Sequence, residues 1–120
     1  MIQYEVLKDL VDIKTSADKT LLHDLVEMFI QQTPSRLNQI ESGIKEKNND
    51  QVMRTAHILK ASCAYLGISE MAQLCSRLEE MAIRKEALND QNALVCLYAL
   101  EESYDESIVE LTRYMSVALH

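Results

Sequence analysis

The scarcity of residues that break helices constrains the fold of this chain more than any other feature. Its 120 residues include two glycines, Gly43 and Gly67, and one proline, Pro34. Glycine and proline destabilise helix interiors more than other residues, so a chain with so few of them can form long helices. Apolar residues recur at helical spacing throughout, and no window of strict alternation indicates a strand. The sequence therefore predicts an all-α fold.

Capping residues and apolar spacing divide the chain into helical segments. The predicted segments are 4–12, 17–32, 34–47, 50–66 and 69–85, and a last helix that starts at Asn89–Asp90 and carries apolar residues as far as Met115. Thr15, with Asp18 three residues later, is the predicted cap of the second helix. Thr33 and Pro34 predict a restart there, and one helix kinked at Pro34 is the alternative. Gly67 is expected in a left-handed conformation at the end of a helix.

Short connections between such helices favour antiparallel neighbours. We therefore expect an antiparallel four-helix bundle with one or two short N-terminal helices packed on it. At 120 residues the chain is long enough for one domain, which we expect to span 1–120.

The net charge of −7 makes binding to nucleic acid or to an anionic membrane surface unfavourable. No apolar stretch is long enough to span a membrane, and the N-terminus has no signal-peptide pattern. Three widely spaced cysteines, with no Cys-x-x-Cys pair, indicate neither a zinc site nor a disulfide framework, so we expect reduced thiols in a cytoplasmic protein. The acidic last helix offers no adhesive face, so a monomer is expected.

His57 is the residue on which a chemical function can be built. It lies one position beyond Ala56 of the apolar stripe, which puts it at or just outside the edge of the buried face. Lys60, Ala61 and Ala64 follow on the same side of the helix, so the imidazole has a cation and two small side chains as neighbours. The stretch 51–66 holds two bases, Arg54 and Lys60, and no acid, which suggests a partner that is acidic or carries phosphate.

Glu79 is expected opposite His57 across a helical hairpin. If the turn centres on 67–68, His57 precedes it by ten residues and Glu79 follows it by eleven, so antiparallel helices place them at the same level. A carboxylate there can accept a hydrogen bond from one imidazole nitrogen and leave the other as a nucleophile. The alternative is that Glu79 is a solvated surface acid like Glu80.

The run 56–67, Ala-His-Ile-Leu-Lys-Ala-Ser-Cys-Ala-Tyr-Leu-Gly, resembles the signature of histidine-containing phosphotransfer (HPt) domains, A-H-x-L-K-G-S-x-x-x-L-G. The resemblance extends to Thr33-Pro34-x-x-Leu37 before it and to Leu74-Cys75-x-x-Leu78-Glu79 after it. It implies that His57 accepts a phosphoryl group from a receiver-domain aspartyl phosphate and passes it to another receiver. It also implies that Lys60 lies beside the phosphate and that Glu79 orients the histidine. Ala61 departs from the family's usual glycine, on the face expected to meet the receiver together with Arg54 and Ala64.

The resulting prediction is a phosphocarrier of a two-component phosphorelay. Its expected partners are response-regulator receiver domains, a hybrid histidine kinase or both. No phosphate-binding glycine loop is present, so we expect no ATP site, no cofactor and no enzymatic activity of the chain's own. The alternative function is a helical adaptor that binds a receiver or kinase without accepting phosphate. A metal-binding bundle is a weaker alternative, because His23, His57 and His120 have no further ligands at metal-binding spacing.

Overall fold

A computed structural model describes residues 2–84 and 91–118 of the chain. It contains five helices and one small hairpin: α1 (Tyr4–Val11), β1 (Lys14–Ser16), β2 (Lys19–Thr20), α2 (Leu21–Lys45), α3 (Asn49–Tyr65), α4 (Ser69–Arg84) and α5 (Gln91–Ala118). The four long helices form the bundle, and α1 packs against α2. The prediction of an all-α bundle with a short N-terminal helix is thus confirmed.

The core of the bundle is built from the predicted apolar stripes. Four residues of the predicted stripe are buried on α3, namely Val52, Ala56, Leu59 and Cys63, and the fifth, Leu66, is buried at its C-cap. Neighbouring helices add Phe29 and Ile40 from α2, Met71 and Leu78 from α4, and Leu97 and Leu100 from α5. Because α3 packs on both α2 and α4, one side of it is buried and the opposite side, which carries His57, faces solvent.

The prediction for residues 12–20 was wrong in two respects. Residues 14–16 and 19–20 form a short antiparallel hairpin instead of the start of a helix. Thr15 is not the helix cap, because the side chain of Thr20 accepts the hydrogen bond from the backbone N–H of His23 and α2 begins at Leu21. Both threonines are good capping residues, and only Thr20 is buried at the helix end.

The predicted helix restart at Pro34 was also wrong, because α2 continues through Pro34 as one helix, in agreement with that part of the alternative. Pro34 lies inside α2, where it cannot donate the hydrogen bond that the carbonyl of Ile30 would normally accept. The hydroxyl of Tyr104 on α5 donates to that carbonyl instead, at 3.4 Å. Thr33, the predicted cap, is buried within the helix. A tertiary contact thus replaces the helical hydrogen bond that proline removes.

Two three-residue turns join α2 to α3 and α3 to α4. In the second turn Gly67 adopts the predicted left-handed conformation, with φ 68°. The N–H of Ile68 then donates to the carbonyl of Cys63 and that of Gly67 to Ala64, which closes α3 with a Schellman motif. These turns fix how α3 and α4 align, and therefore which of their residues meet.

The other predicted boundaries agree with the structure to within one or two residues where they can be compared. Asn48 caps α3 by accepting a hydrogen bond from the N–H of Gln51. Lys85, the predicted end of α4, and Asn89–Asp90, the predicted start of the last helix, lie outside the described residues. None of the helices within 2–84 and 91–118 is both long and apolar enough to cross a membrane.

Candidate functional site

His57 lies midway along α3 with its imidazole open to solvent. Its side chain is 64% exposed, whereas Ala56 beside it is fully buried. The step of about 100° between consecutive helical residues is enough to move the side chain from the core to the surface. The predicted location of His57 is confirmed.

Glu79 of α4 meets His57 as the hairpin geometry predicted. Its Oε2 lies 2.6 Å from Nδ1 of the imidazole. An ionised carboxylate only accepts hydrogen bonds, so Nδ1 carries the proton of the neutral ring and Nε2 keeps a free electron pair. The Glu79 side chain is 15% exposed, so the alternative of a solvated surface acid is wrong. A carboxylate at this distance favours an imidazole that carries its proton on Nδ1.

The second oxygen of Glu79 binds Lys60. The Lys60 ammonium donates to Oε1 at 2.5 Å, so one carboxylate joins two side chains of α3. Burial raises the pKa of the Glu79 carboxyl, but the hydrogen bonds and positive charge from Lys60, with the hydrogen bond from His57, outweigh it and hold the pKa below its ordinary value. Glu79 is therefore ionised at neutral pH. The position of Lys60 near His57 was predicted from the sequence, whereas its ion pair with Glu79 was not.

The predicted basic character of this surface needs correction. Arg54 is exposed and forms an ion pair with Asp50, four residues earlier on α3. Lys60 is neutralised by Glu79. The stretch 51–66 contains neither acid, because Asp50 lies just before it and Glu79 lies on the next helix. The i,i+4 spacing of Asp50 and Arg54 was the signal available for the first pair.

The surface around the imidazole is smooth and largely apolar. Ala61 and Ala64 are exposed beside His57, as predicted. Ile58 and Tyr65, which the sequence analysis did not select, are 49% and 68% exposed on the same outer face of α3. Exposure is decided by the packing of α2 and α4, so no pattern within α3 alone marks these two residues as surface residues.

Ser62 lies on the α2 side of α3, away from His57. Its hydroxyl donates to the carbonyl of Ile58 at 3.3 Å and accepts from the Arg36 guanidinium of α2 at 3.4 Å. The Ser62 hydroxyl thus links α3 to α2.

Within the part of the chain that the structure describes, no group of three or more His, Cys, Asp or Glu side chains is arranged to hold a metal ion. His23 lies on α2 near Asp24 and Glu27, while His120 is outside the described residues.

Comparison with known proteins assigns the arrangement to a family. The family model described as Hpt domain matches residues 24–110, most of the chain and all of the site. The chain belongs to the Hpt domain family. Membership gives this Hpt domain the role of a phosphocarrier in two-component signalling, a phosphotransfer intermediate, as the sequence predicted.

The named relatives of this Hpt domain are phosphorelay and sensor proteins. It is 27% identical over 79 residues to the phosphorelay intermediate protein YPD1 of Candida albicans, covering 66% of this chain and 42% of that protein. It is 31% identical over 62 residues to the sensor protein TorS of Escherichia coli, covering 52% of this chain and 7% of the sensor. The chain thus spans less than half the length of these curated relatives.

Among solved structures, this Hpt domain resembles histidine-containing phosphotransfer protein B (HptB) of Pseudomonas aeruginosa. The TM-score is 0.82 at 21% identity, over 96% of this chain and 94% of that one. At this identity the likeness establishes the fold.

Proposed function

We propose that His57 is the residue of this Hpt domain that carries the phosphoryl group. The observation that carries the proposal is the His57–Glu79 contact on an exposed side chain. Nδ1 lies against Glu79 while the side chain is 64% exposed, so Nε2 is the nitrogen that we assign to the phosphoryl group. A phosphorylated receiver domain is the proposed donor, and a second receiver is the proposed acceptor.

In the proposed transfer the Nε2 electron pair attacks the phosphorus of a receiver's aspartyl phosphate. The N–P bond forms as the acyl phosphate P–O bond breaks, and the receiver's aspartate leaves as a carboxylate. The imidazole keeps its Nδ1 proton and becomes positively charged, and the Glu79 carboxylate beside that proton stabilises the charge. The reverse attack by another receiver's aspartate returns the ring to its neutral form, so the carrier is regenerated.

Lys60 is proposed to stabilise the phosphoryl oxygens. Phosphoryl transfer has a loose transition state in which positioning and charge neutralisation dominate. Lys60 is 32% exposed and directs one of its three N–H donors to Glu79, which leaves two donors for phosphate oxygens near Nε2. The exposed face of Arg54, Ala61 and Ala64 is the proposed docking surface for the receiver.

The chain contains no glycine-rich phosphate loop, so we infer that it draws its phosphoryl group from proteins and has no ATP-dependent activity. Any Mg²⁺ would be held by the receiver's acidic site. The proposed partners are response-regulator receiver domains, a hybrid histidine kinase or both. We also propose that residues 1–120 form a single domain that is monomeric and cytoplasmic. Its net charge of −7 makes binding to nucleic acid or to an anionic membrane surface unfavourable.

The test is incubation with phosphorylated receivers from the source organism, alongside His57→Gln and the control His23→Gln. His23 is a second partly exposed histidine, on α2. We expect the wild type and His23→Gln to gain an acid-labile, base-stable phosphate, and folded His57→Gln to gain none. Labelling of His57→Gln would refute the site. Unlabelled wild type that binds receivers as tightly as His57→Gln does would support the adaptor function instead.

A further inference from the structure

The exposed face of α3 has two different borders. Toward α4 it ends at Lys60 and Glu79, whose charges neutralise each other. Toward α2 it continues through Ile58 to Ser62, which receives a hydrogen bond from Arg36. A shallow cleft lined by Gln39 of α2 and by Arg54, Thr55 and Ile58 of α3 marks this second border. A second depression, lined by Arg54, Ile58 and Glu79 among others, connects the cleft to His57. The accessible surface around the imidazole therefore extends from α3 onto α2.

This α2-side surface combines two large apolar side chains of α3 with the polar residues and Arg54 that line the cleft, and Arg36 lies at its edge. Ile58 and Tyr65 are about half and two thirds exposed there. Together with the exposed Ala61 and Ala64 they place apolar surface beside His57, where a docking partner would cover it. Beside a reactive imidazole they would exclude water from the region where a partner docks.

Arg36 differs from the other two bases near the site, Arg54 and Lys60, because it has no acidic partner among the described residues. Its bond is to a hydroxyl, which leaves the positive charge without a counter-ion. Arg36 is also half-buried, and an uncompensated charge is unfavourable in such a position. The contact with Ser62 holds the guanidinium against α3, with most of its five N–H donors unused.

We propose that Arg36, Ile58 and Tyr65 form a docking surface for the receiver on the α2 side of His57. The partner that fits it is a receiver domain with an apolar patch bordered by a carboxylate, which Arg36 binds as the apolar patch covers Ile58 and Tyr65. The inference rests on the phosphocarrier function proposed above. It makes Arg36 a residue that determines which receivers dock, separate from the residues that bind phosphate.

The test measures transfer from a phosphorylated receiver as a function of receiver concentration, for the wild type, Arg36→Glu and Arg36→Gln. The control is Arg77→Glu, which makes the same charge change at an exposed site on α4 that faces α5. We expect Arg36→Glu to raise the half-saturating receiver concentration by about tenfold or more. Raised salt should weaken docking to the wild type more than docking to this variant, because the variant lacks the attraction that salt screens. Arg36→Gln, which keeps an amide donor for Ser62, should raise it about threefold. Arg77→Glu should resemble the wild type.

A small phosphodonor separates docking from chemistry. Phosphoramidate needs no docking surface, so it should label His57 equally in the wild type and in both Arg36 variants. Tyr65→Ala should weaken transfer from the receiver and leave phosphoramidate labelling unchanged. If Arg36→Glu does not fold, Arg36→Gln and Tyr65→Ala decide the question.

The proposal is overturned if both Arg36 variants transfer like the wild type, if Arg77→Glu is impaired as much as Arg36→Glu, or if phosphoramidate labelling falls in parallel. Failure of the phosphocarrier function is distinguishable, because the wild type itself would then accept phosphate from no receiver.

Discussion

Glu79 uses its two carboxylate oxygens for two tasks. Oε2 accepts the hydrogen bond from Nδ1 of His57, and Oε1 pairs with the Lys60 ammonium. The negative charge of Glu79 is therefore shared between a ring nitrogen of His57 and the ammonium of Lys60. A doubly charged phosphoryl group added at Nε2 would compete with Glu79 for the Lys60 ammonium, which has two further N–H donors. The Glu79 carboxylate thus weakens the attraction between the Lys60 ammonium and the phosphate.

The pH dependence of stability should report the charge of Glu79. Its pKa is lower in the folded protein than in the unfolded chain, where a glutamate titrates near pH ~4.3. The ionised carboxylate therefore stabilises the fold fully above about pH 4.3, and this stabilisation is lost as the pH falls through the folded pKa. We expect Glu79→Gln to lower the free energy of unfolding at pH 7, and the difference from the wild type to shrink below about pH 4.3.

Urea unfolding of both proteins at neutral and acidic pH measures this difference. Glu80→Gln is the matched control, because it removes a carboxylate from an exposed pair with Arg84 one position further along α4. A difference between wild type and Glu79→Gln that stays constant down to pH 3 would contradict the ionised network.

At the scale of residues, the sequence allowed prediction of the His57–Glu79 contact, because equal helical rise on the two sides of the Gly67 turn fixes which residues face each other. It did not allow prediction of the Lys60–Glu79 pair. Lys60 is three residues beyond His57, and whether its long side chain turns toward α4 or toward solvent depends on a carboxylate that belongs to another helix. The same dependence hid Arg36, whose contact with Ser62 joins residues 26 positions apart.

At the scale of elements, helix existence was predictable and two helix starts were not. The N-terminal limit of α2 was misplaced because Thr15 and Thr20 are equally good caps in sequence, and burial at the helix end selects Thr20. Pro34 predicts a helix start because its ring prevents a backbone hydrogen bond. The Tyr104 hydroxyl that satisfies the Ile30 carbonyl comes from residue 104, far outside any local pattern.

Two turns of the same type contain different residues at the left-handed position. The α2–α3 turn is also a Schellman motif, with bonds from the N–H of Asn48 to Gly43 and from Lys47 to Ile44. Its left-handed residue is Lys47, with φ 58°, where the α3–α4 turn has Gly67. A side chain at this conformation costs about 1–2 kcal/mol, so Lys47 places strain in the first turn that glycine would relieve.

We therefore expect Lys47→Gly to raise the free energy of unfolding by about 0.5–1 kcal/mol, since the flexibility of glycine offsets part of the gain. Gly67→Ala should lower it by at least about 1 kcal/mol. A Cβ atom at Gly67 would lie 2.9 Å from the backbone oxygen of Gln3, so the N-terminal segment must also shift. Urea unfolding midpoints measure both effects. Equal effects of the same sign would show that the left-handed position does not control either turn.

At the scale of the whole molecule, the bundle encloses every thiol of the chain. Cys63, Cys75 and Cys96 come from three different helices, and all are buried and free. A hydrogen bond with Cys63, together with burial, raises the pKa of the Cys75 thiol, and burial raises that of Cys96. Thiol reagents attack the thiolate, so these cysteines should be unreactive in the folded protein.

Labelling by a thiol reagent at pH 7 should therefore require opening of the bundle. We expect negligible labelling in native buffer and reaction of all three cysteines in concentrated urea. Because reaction then follows the population of open molecules, native-state labelling should slow about fivefold for a gain of ~1 kcal/mol in stability. Lys47→Gly should thus label more slowly than the wild type and Gly67→Ala faster, as followed by mass spectrometry of alkylated peptides. A cysteine that labels at the same rate in all three proteins is reached by a local motion, and the bundle would then not open as a unit around it.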